Sequence, residues 1–205
     1  MPGTIPSPPP GAGPRIAAVV DASARMSGAE RREQILDAAK GVFARSGFAA
    51  TTDEVARAAG VSQPYVVRLF GSKRDLFLAT YLRTSDAVVE AMSAVEAGPD
   101  AGDRMADAYV RLLEDRDLLR LLMHGFIAGS DDEVGRAARH CLGEAYRLFL
   151  DRTGATPEEG RQFVASGMLI NVLLAVDAPG HLGEDAGMDS LLDCVRTSME
   201  ERRGA

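Results

Sequence analysis

The side chains best able to bind a partner lie close together in residues 51–73, which combine hydroxyls, an amide and basic groups. Gln63 and Arg68 carry hydrogen-bond donors that match the edges of bases in the major groove of DNA. Lys73 provides a positive charge that suits a phosphate. The sequence therefore predicts a surface that binds double-stranded DNA. Its predicted members are Thr51, Thr52, Ser62, Gln63, Pro64, Tyr65, Val67, Arg68 and Lys73.

Two short helices joined by a tight turn are predicted to position these side chains. Thr51 begins the first helix, because its hydroxyl can cap the first turn while Glu54 bonds back to its N–H. Gly60 ends that helix, where a positive φ is favoured. Ser62 is the predicted cap of the second helix, with Pro64 in its first turn. The second helix packs its apolar side on the first helix and leaves its polar side free to enter the major groove. That apolar side consists of Val66, Leu69 and Phe70.

The segment 31–82 resembles the tetracycline-repressor (TetR) family of bacterial transcription regulators. The resemblance rests on ordered motifs: ILDAA, F-A-x-x-G-F, T-T, V-A-x-x-A-G-V-S and R-x-F-x-S-K-x-x-L-F. It covers about a quarter of the chain and the whole predicted DNA-binding region. The family usually has Tyr at the position of Val67, and often His or Tyr at that of Leu69. These departures shift the expected phosphate contacts to Tyr65 and Lys73.

Charge is unevenly distributed along the 205 residues. Residues 1–75 contain 10 Lys/Arg and 7 Asp/Glu, a net charge of +3, whereas residues 76–205 contain 13 and 23, a net charge of −10. This asymmetry is typical of a DNA-binding head on a body that does not bind DNA. The two cysteines are too few for a disulfide framework, and no apolar run reaches the length of a membrane span. We therefore expect a cytoplasmic protein without membrane contact.

The chain is predicted to contain a tail and two domains. Residues 1–27 are expected to be a disordered tail, because residues 1–14 contain 6 of the 10 prolines and show no apolar period. A signal peptide is not expected there, since the apolar run is short and no basic cluster precedes it. Met26 directly precedes a predicted capping box and is an alternative start. Residues 28–75 form the DNA-binding domain, and residues 76–205 form the effector-binding and dimerisation domain.

Helical periodicity extends through both domains, so the predicted fold class is all-α, with three helices in the head and six in the body. The body helices begin near residues 72, 103, 117, 131, 157 and 188. The first of them, which ends near Glu96, links head and body without a flexible linker. The last two, 157–177 and 188–203, carry more apolar surface than a small body needs. In the resembling family these two helices pair with a second copy, which implies a homodimer; core packing within one chain is the alternative.

The middle of the body is predicted to bind a small-molecule effector that is mostly hydrophobic and neutral or cationic. Tyr109, His124 and Asn171 are polar groups in apolar helices that could orient such a molecule, and Met123 suits an adaptable wall. A satisfied core histidine is the alternative for His124, and a bond across a dimer is the alternative for Asn171. His140 and the cysteine beside it lack metal-ligand spacing, so neither a metal nor a cofactor is predicted.

These patterns together predict a dimeric, ligand-responsive DNA-binding regulator. Members of the resembling family most often act as repressors. DNA would select one spacing of the two heads, and an effector the other. No catalytic motif is found, so no catalytic residue is assigned, and an enzyme that uses His124 is a weaker alternative. A further alternative is a helical small-molecule-binding or assembly protein whose helix–turn–helix no longer binds DNA.

Overall fold

The computed structural model describes Gly3 and residues 27–204, with side chains up to Glu200. The predicted tail therefore lies outside the described residues except for Gly3 and Ser27, and Met26 lies outside them as well. Over the described part of the chain the fold is all-α, with nine α-helices and two 3-10 turns. The predicted fold class, three helices followed by six, is confirmed. None of the described helices is long and apolar enough to cross a membrane.

The head consists of three helices and one short turn whose ends are capped as the sequence predicts. Capping boxes are present at Ser27 with Glu30 and at Thr51 with Glu54, in which side chain and backbone exchange hydrogen bonds. Gly60 has a φ of +65°, so the chain reverses between the two short helices where glycine is favoured. The elements are α1 Gly28–Ser46, the 3-10 turn Gly47–Ala49, α2 Thr52–Ala58 and α3 Gln63–Phe70.

The body consists of six helices that begin close to the predicted positions. The bounds are α4 Lys73–Ser93, α5 Ala101–Leu112, α6 Arg116–Ile127, α7 Asp132–Thr153, α8 Pro157–Ala175, the 3-10 turn Ala178–His181 and α9 Ala186–Gly204. Thr156 and Glu159 form the predicted capping box at the start of α8. The helix that links head and body ends at Ser93, slightly before the predicted end. The two 3-10 turns were not predicted.

One hydrophobic core runs from the head into the body. Phe43 of α1 meets Phe77 of α4 edge-on, with ring centroids 5.1 Å apart, and Phe77 stacks on Tyr81 at 6.3 Å. Tyr81 in turn lies against Gly125 of α6, where an added Cβ would be only 1.9 Å from the ring. Because the first helix of the body shares its buried aromatic side chains with the head, the two parts are packed together rather than merely tethered.

Polar contacts reinforce this junction in two ways: α4 is fixed to α7 within the body, and α1 of the head is fixed to α6. The guanidinium of Arg74, in the first turn of α4, makes two hydrogen bonds of 2.5 and 2.8 Å to Asp131, the N-cap of α7. A third bond of 2.6 Å joins Arg74 to Glu133. Lys40 of α1 pairs with Asp115, the N-cap of α6, at 2.5 Å. Hydrogen bonds from Arg74 hold the pKa of Asp131 below its usual value, so the carboxylate stays ionised near neutral pH.

Candidate nucleic-acid interface and ligand cavity

The N-termini of α2 and α3 are held side by side by a hydrogen bond between their first residues. Gln63 Nε2 donates to the Thr52 hydroxyl at 3.2 Å. Thr51 caps α2 with its hydroxyl, which is thereby partly occupied. Ser62 occupies the N-cap position of α3, but its hydroxyl makes no capping bond, contrary to the prediction. Its exposed hydroxyl is therefore free to meet a phosphate, next to two helix N-termini that favour anions.

The outer side of α3 presents a basic and aromatic pair. Arg68 is exposed, and its guanidinium carbon lies 5.1 Å from the centre of the Tyr65 ring. Among the described residues Arg68 has no acidic partner, whereas Arg57 on the neighbouring helix is paired with Asp53. Pro64 is exposed, while Val67 and Tyr65 are half-buried. A guanidinium without a carboxylate partner can make a two-pronged contact with a base or a phosphate.

Lys73 is bound within the protein, which its sequence position did not reveal. Its ammonium donates to the carbonyl of Phe48 at 2.6 Å and so ties the start of α4 to the 3-10 turn of the head. The side chain is half-buried as a result. An ammonium has three donors, so this bond leaves donors for a phosphate, but it also gives Lys73 a role in stability.

A second residue that sequence analysis missed fixes the helix–turn–helix against α1. Gln34 Nε2 donates to the carbonyl of Ala59, at the end of α2, at 3.1 Å. Nearby, the guanidinium of Arg32 lies over the Phe70 ring at 4.4 Å. Both residues lie on the polar side of α1, where they resemble ordinary solvent-facing residues, so no sequence signal distinguishes them.

The body contains a cavity of about 220 Å³ that is partly open to solvent. Side chains from every body helix contribute to its wall, and most of them are apolar. Tyr109 of α5 and Asn171 of α8 meet at this wall, where the tyrosine hydroxyl donates to Asn171 Oδ1 at 2.8 Å. Burial raises the pKa of Tyr109 to about 12, so the phenol stays neutral at physiological pH. Other lining residues include Val88, Met92, Leu122, Phe126, Cys141, Phe163, Met168, Leu191, Cys194, Val195 and Met199.

Comparison with known proteins agrees with this arrangement. Residues 35–80, which span the helix–turn–helix and the start of α4, match the model of the tetR family of bacterial regulatory proteins. This segment of the chain is therefore of the TetR type. The chain is 48% identical over 61 residues to FasR, an HTH-type transcriptional activator of Mycolicibacterium smegmatis. That match spans 29% of this chain and only 28% of the length of FasR.

Solved structures extend the similarity in fold beyond this segment. A transcriptional regulator from Rhodococcus sp. Rha1 superposes with a TM-score of 0.62 at 23% identity, covering 83% of this chain and 96% of that protein. The multidrug binding protein EbrR, solved in complex with imidazole, superposes with a TM-score of 0.54 at 20% identity. The match covers 80% of this chain and 94% of the EbrR chain. At these identities the likeness establishes a shared fold.

The four residues predicted to bind an effector do not come together in the body. Tyr109 and Asn171 line the cavity, but Met123 and His124 lie outside its wall. The His124 ring packs on Gly47 of the head, and its Nε2 is 3.3 Å from the carbonyl of Ala44. The expectation that His124 and Met123 share the pocket with the other two is therefore corrected. His124 belongs to the face of α6 that packs beside the head, which periodicity alone could not distinguish from the inner face.

Much of the cavity wall comes from α8 and α9, whose apolar residues the sequence assigned to a dimer. Phe163 and Met168 of α8 face the cavity, as do Val195 and Met199 of α9. Both cysteines, Cys141 and Cys194, also line it. The apolar residues of these two helices thus divide into two groups: some line the cavity, and others lie on the outer surface of the body.

Proposed function

We propose that this protein is a DNA-binding transcriptional regulator that acts as a homodimer and loses its affinity for DNA when a small molecule occupies the body cavity. One observation carries the proposal: α4 belongs to both sites. Its first residue, Lys73, is bonded to the head, and Val88 and Met92, farther along the same helix, line the cavity. A ligand that displaces α4 would therefore move the head.

The junction contacts support a coupling of this kind. Displacement of α4 would strain the bonds from Arg74 to α7 and the stacking of Tyr81 against α6. A well-packed interface moves between discrete arrangements rather than deforming gradually. An effector that favours one arrangement, and DNA that favours the other, would oppose each other through this helix.

Homodimerisation would be provided by the outer surfaces of α8 and α9 together with the segment that connects them. Of the seven large apolar side chains that are exposed among the described residues, five lie between residues 172 and 191. A two-fold dimer would cover them and would present two heads to two half-sites of a palindromic operator. We expect the protein to act on DNA in the bacterial cytoplasm. We expect the protein to repress transcription, as the family resemblance favours. Because FasR is named as an activator, a reporter assay must distinguish repression from activation.

DNA binding is tested by selecting sequences from a random duplex pool and titrating the best one at two salt concentrations. We expect specific binding that weakens steeply with salt, because phosphate contacts release counterions. Arg68→Ala should weaken specific binding by about 1–3 kcal/mol and relax the preference at one base pair. Arg57→Ala is the matched control, since Arg57 already has a carboxylate partner.

The same titration separates the proposal from its main alternative. If no sequence is enriched, and wild type and Arg68→Ala bind random DNA equally weakly, the chain is a helical ligand-binding protein whose head no longer recognises an operator. If specific binding is seen but Arg57→Ala weakens it as much as Arg68→Ala, DNA binding stands and the assignment of Arg68 fails.

A further inference from the structure

The cavity of the body has no charged side chain in its described wall. Among the residues that line it, none is Asp, Glu, Lys, Arg or His. An ion placed there would lose its hydration without gaining a counter-charge, which is costly in an apolar site. The acidic surface of the body does not alter this, because its carboxylates lie elsewhere. A cationic ligand, which the net charge of the body had left open, is therefore disfavoured together with an anionic one.

One polar group in this wall is almost fully buried and only partly satisfied. Asn171 is 1% exposed, and its Oδ1 accepts the hydrogen bond from Tyr109. Within the described part of the chain, its Nδ2 has only the Met168 sulfur as a partner, at 3.8 Å. A thioether is a weak acceptor, and an amide nitrogen carries two N–H donors. Buried donors are seldom left without an oxygen or nitrogen acceptor.

We infer that the effector is an uncharged, largely apolar molecule with a hydrogen-bond acceptor, such as a carbonyl or ether oxygen, that accepts an N–H from Asn171. This inference takes the cavity to be the effector site of the proposed function. Tyr109 is a positioning residue here, because its hydroxyl holds Oδ1 and thereby directs Nδ2 towards the ligand. Met168 and Met199 are flexible and polarisable, so the rest of the wall can adapt to an apolar body.

The volume of the cavity limits the size of this molecule. An apolar cavity of about 150 Å³ accommodates benzene. The cavity here is about 220 Å³, somewhat larger. It suits a ligand or ligand portion of roughly ten non-hydrogen atoms, on the same scale. Small aromatic compounds with one functional group are therefore suitable probes of its chemistry.

The test compares four probes that share a phenyl ring and a three-carbon chain: the ketone propiophenone, the hydrocarbon propylbenzene, the anion phenylpropanoate and the cation phenylpropylamine. Calorimetric titration of the full chain without DNA measures each dissociation constant. The ketone should bind most tightly, about tenfold more tightly than the hydrocarbon, which is the scale of one net hydrogen bond. The anion and the cation should bind more weakly than the hydrocarbon.

Variants identify the donor. Asn171→Leu has a similar size and no N–H, so the preference for ketone over hydrocarbon should disappear while the hydrocarbon still binds. Tyr109→Phe keeps the Asn171 donor but releases its Oδ1, so the preference should become smaller without disappearing. A ligand bonded to the tyrosine hydroxyl would lose the preference entirely. Gln162→Leu makes the same amide-to-leucine change on the exposed side of α8 and is the control. If Asn171→Leu does not fold, the order of probe affinities for wild type and the result with Tyr109→Phe still test the inference.

The inference is overturned if none of the probes binds, if a charged probe binds best, if ketone and hydrocarbon bind equally, or if the preference survives Asn171→Leu. Because no DNA is present, these results are separate from the proposed function. If the ketone binds as expected but leaves affinity for the selected DNA unchanged, the ligand chemistry stands and the effector role fails. If another class of compound releases the DNA, the regulator stands and this ligand chemistry fails.

Discussion

The outer surface of α8 offers a sharp test of the dimer, because adjacent residues on this helix have opposite exposures. Val172 and Val176 are 45% and 57% exposed, whereas Leu173, between them, is 4% exposed. A carboxylate at Val172 should therefore disrupt only contacts with another molecule. A carboxylate at Leu173 should disrupt the chain itself. Leu173 lies in the segment 157–177 that the sequence assigned to the dimer, but its burial within the body makes it unsuitable for a charge that probes the interface.

The expected magnitude for Val172→Asp follows from this exposure. Full burial of a valine side chain contributes about 1.5–3 kcal/mol, so covering the exposed half contributes on the order of 1 kcal/mol. A two-fold interface contains the substitution twice, and each buried carboxylate adds a desolvation penalty of several kcal/mol before water relieves part of it. We expect a loss of at least about 4 kcal/mol, or a dissociation constant roughly a thousandfold higher.

Sedimentation at micromolar concentration, together with circular dichroism, measures both effects. Wild type should sediment as a dimer, Val172→Asp as a folded monomer, and Leu173→Asp should lose helicity or melt at a much lower temperature. Ile127→Asp, at a 78% exposed position at the end of α6, is the matched control and should remain dimeric. A monomeric wild type, or a Val172→Asp protein that remains dimeric, would refute the assignment of this surface.

Three further predictions concern the head and its junction with the body. Gly60→Val should lower the free energy of unfolding by about 1–3 kcal/mol and abolish specific DNA binding, because valine is strained at a positive φ. An unchanged melting temperature would contradict this. Gly60→Asn should destabilise less, because asparagine tolerates that conformation. Gly125→Ala should destabilise by about 1–3 kcal/mol through overpacking against Tyr81, and Tyr81→Leu in the same chain should remove most of that effect in a double-mutant cycle. The hydrogen bond from the Thr51 backbone N–H lowers the pKa of Glu54 below its ordinary value, so the ionised Glu54 stabilises the fold above that value and stops doing so as the pH falls through the lowered pKa. The difference in melting temperature between wild type and Glu54→Ala should therefore shrink on acidification. A difference that stays constant with pH would contradict the role of this hydrogen bond.

Local signals explain why the helices of the head could be predicted from the sequence. The capping box of Thr51, the positive φ of Gly60 and the position of Pro64 each depend on residues a few positions apart. Such signals act before any tertiary contact forms, so the pattern alone is sufficient. Ser62 shows the limit of this reasoning: its type and position predict a cap, but its hydroxyl makes no capping bond.

The cavity could not be predicted in the same way, because it depends on how distant helices pack. Asn171 and Tyr109 are 62 positions apart, and both were recognised as polar groups in apolar helices, yet only the fold shows that they bond to each other. His124 lies in an equally apolar helix and faces the head instead. A helix that is apolar on most sides gives no periodicity from which its inner face can be identified.

The position of His124 gives the proposed coupling between the cavity and the head a second route. Its ring fills the space beside Gly47. Leu122 and Phe126, two residues before and after His124, line the cavity from the other side of α6. Helix α6 thus contacts the cavity on one face and the head on another, as α4 does along its length. A ligand that shifts either helix would alter the packing at Tyr81 and Gly125, where they cross. Because a Cβ at that crossing would meet the ring at 1.9 Å, there is little free space between the two helices. The two helices should therefore move together, and the head should respond to the cavity through both.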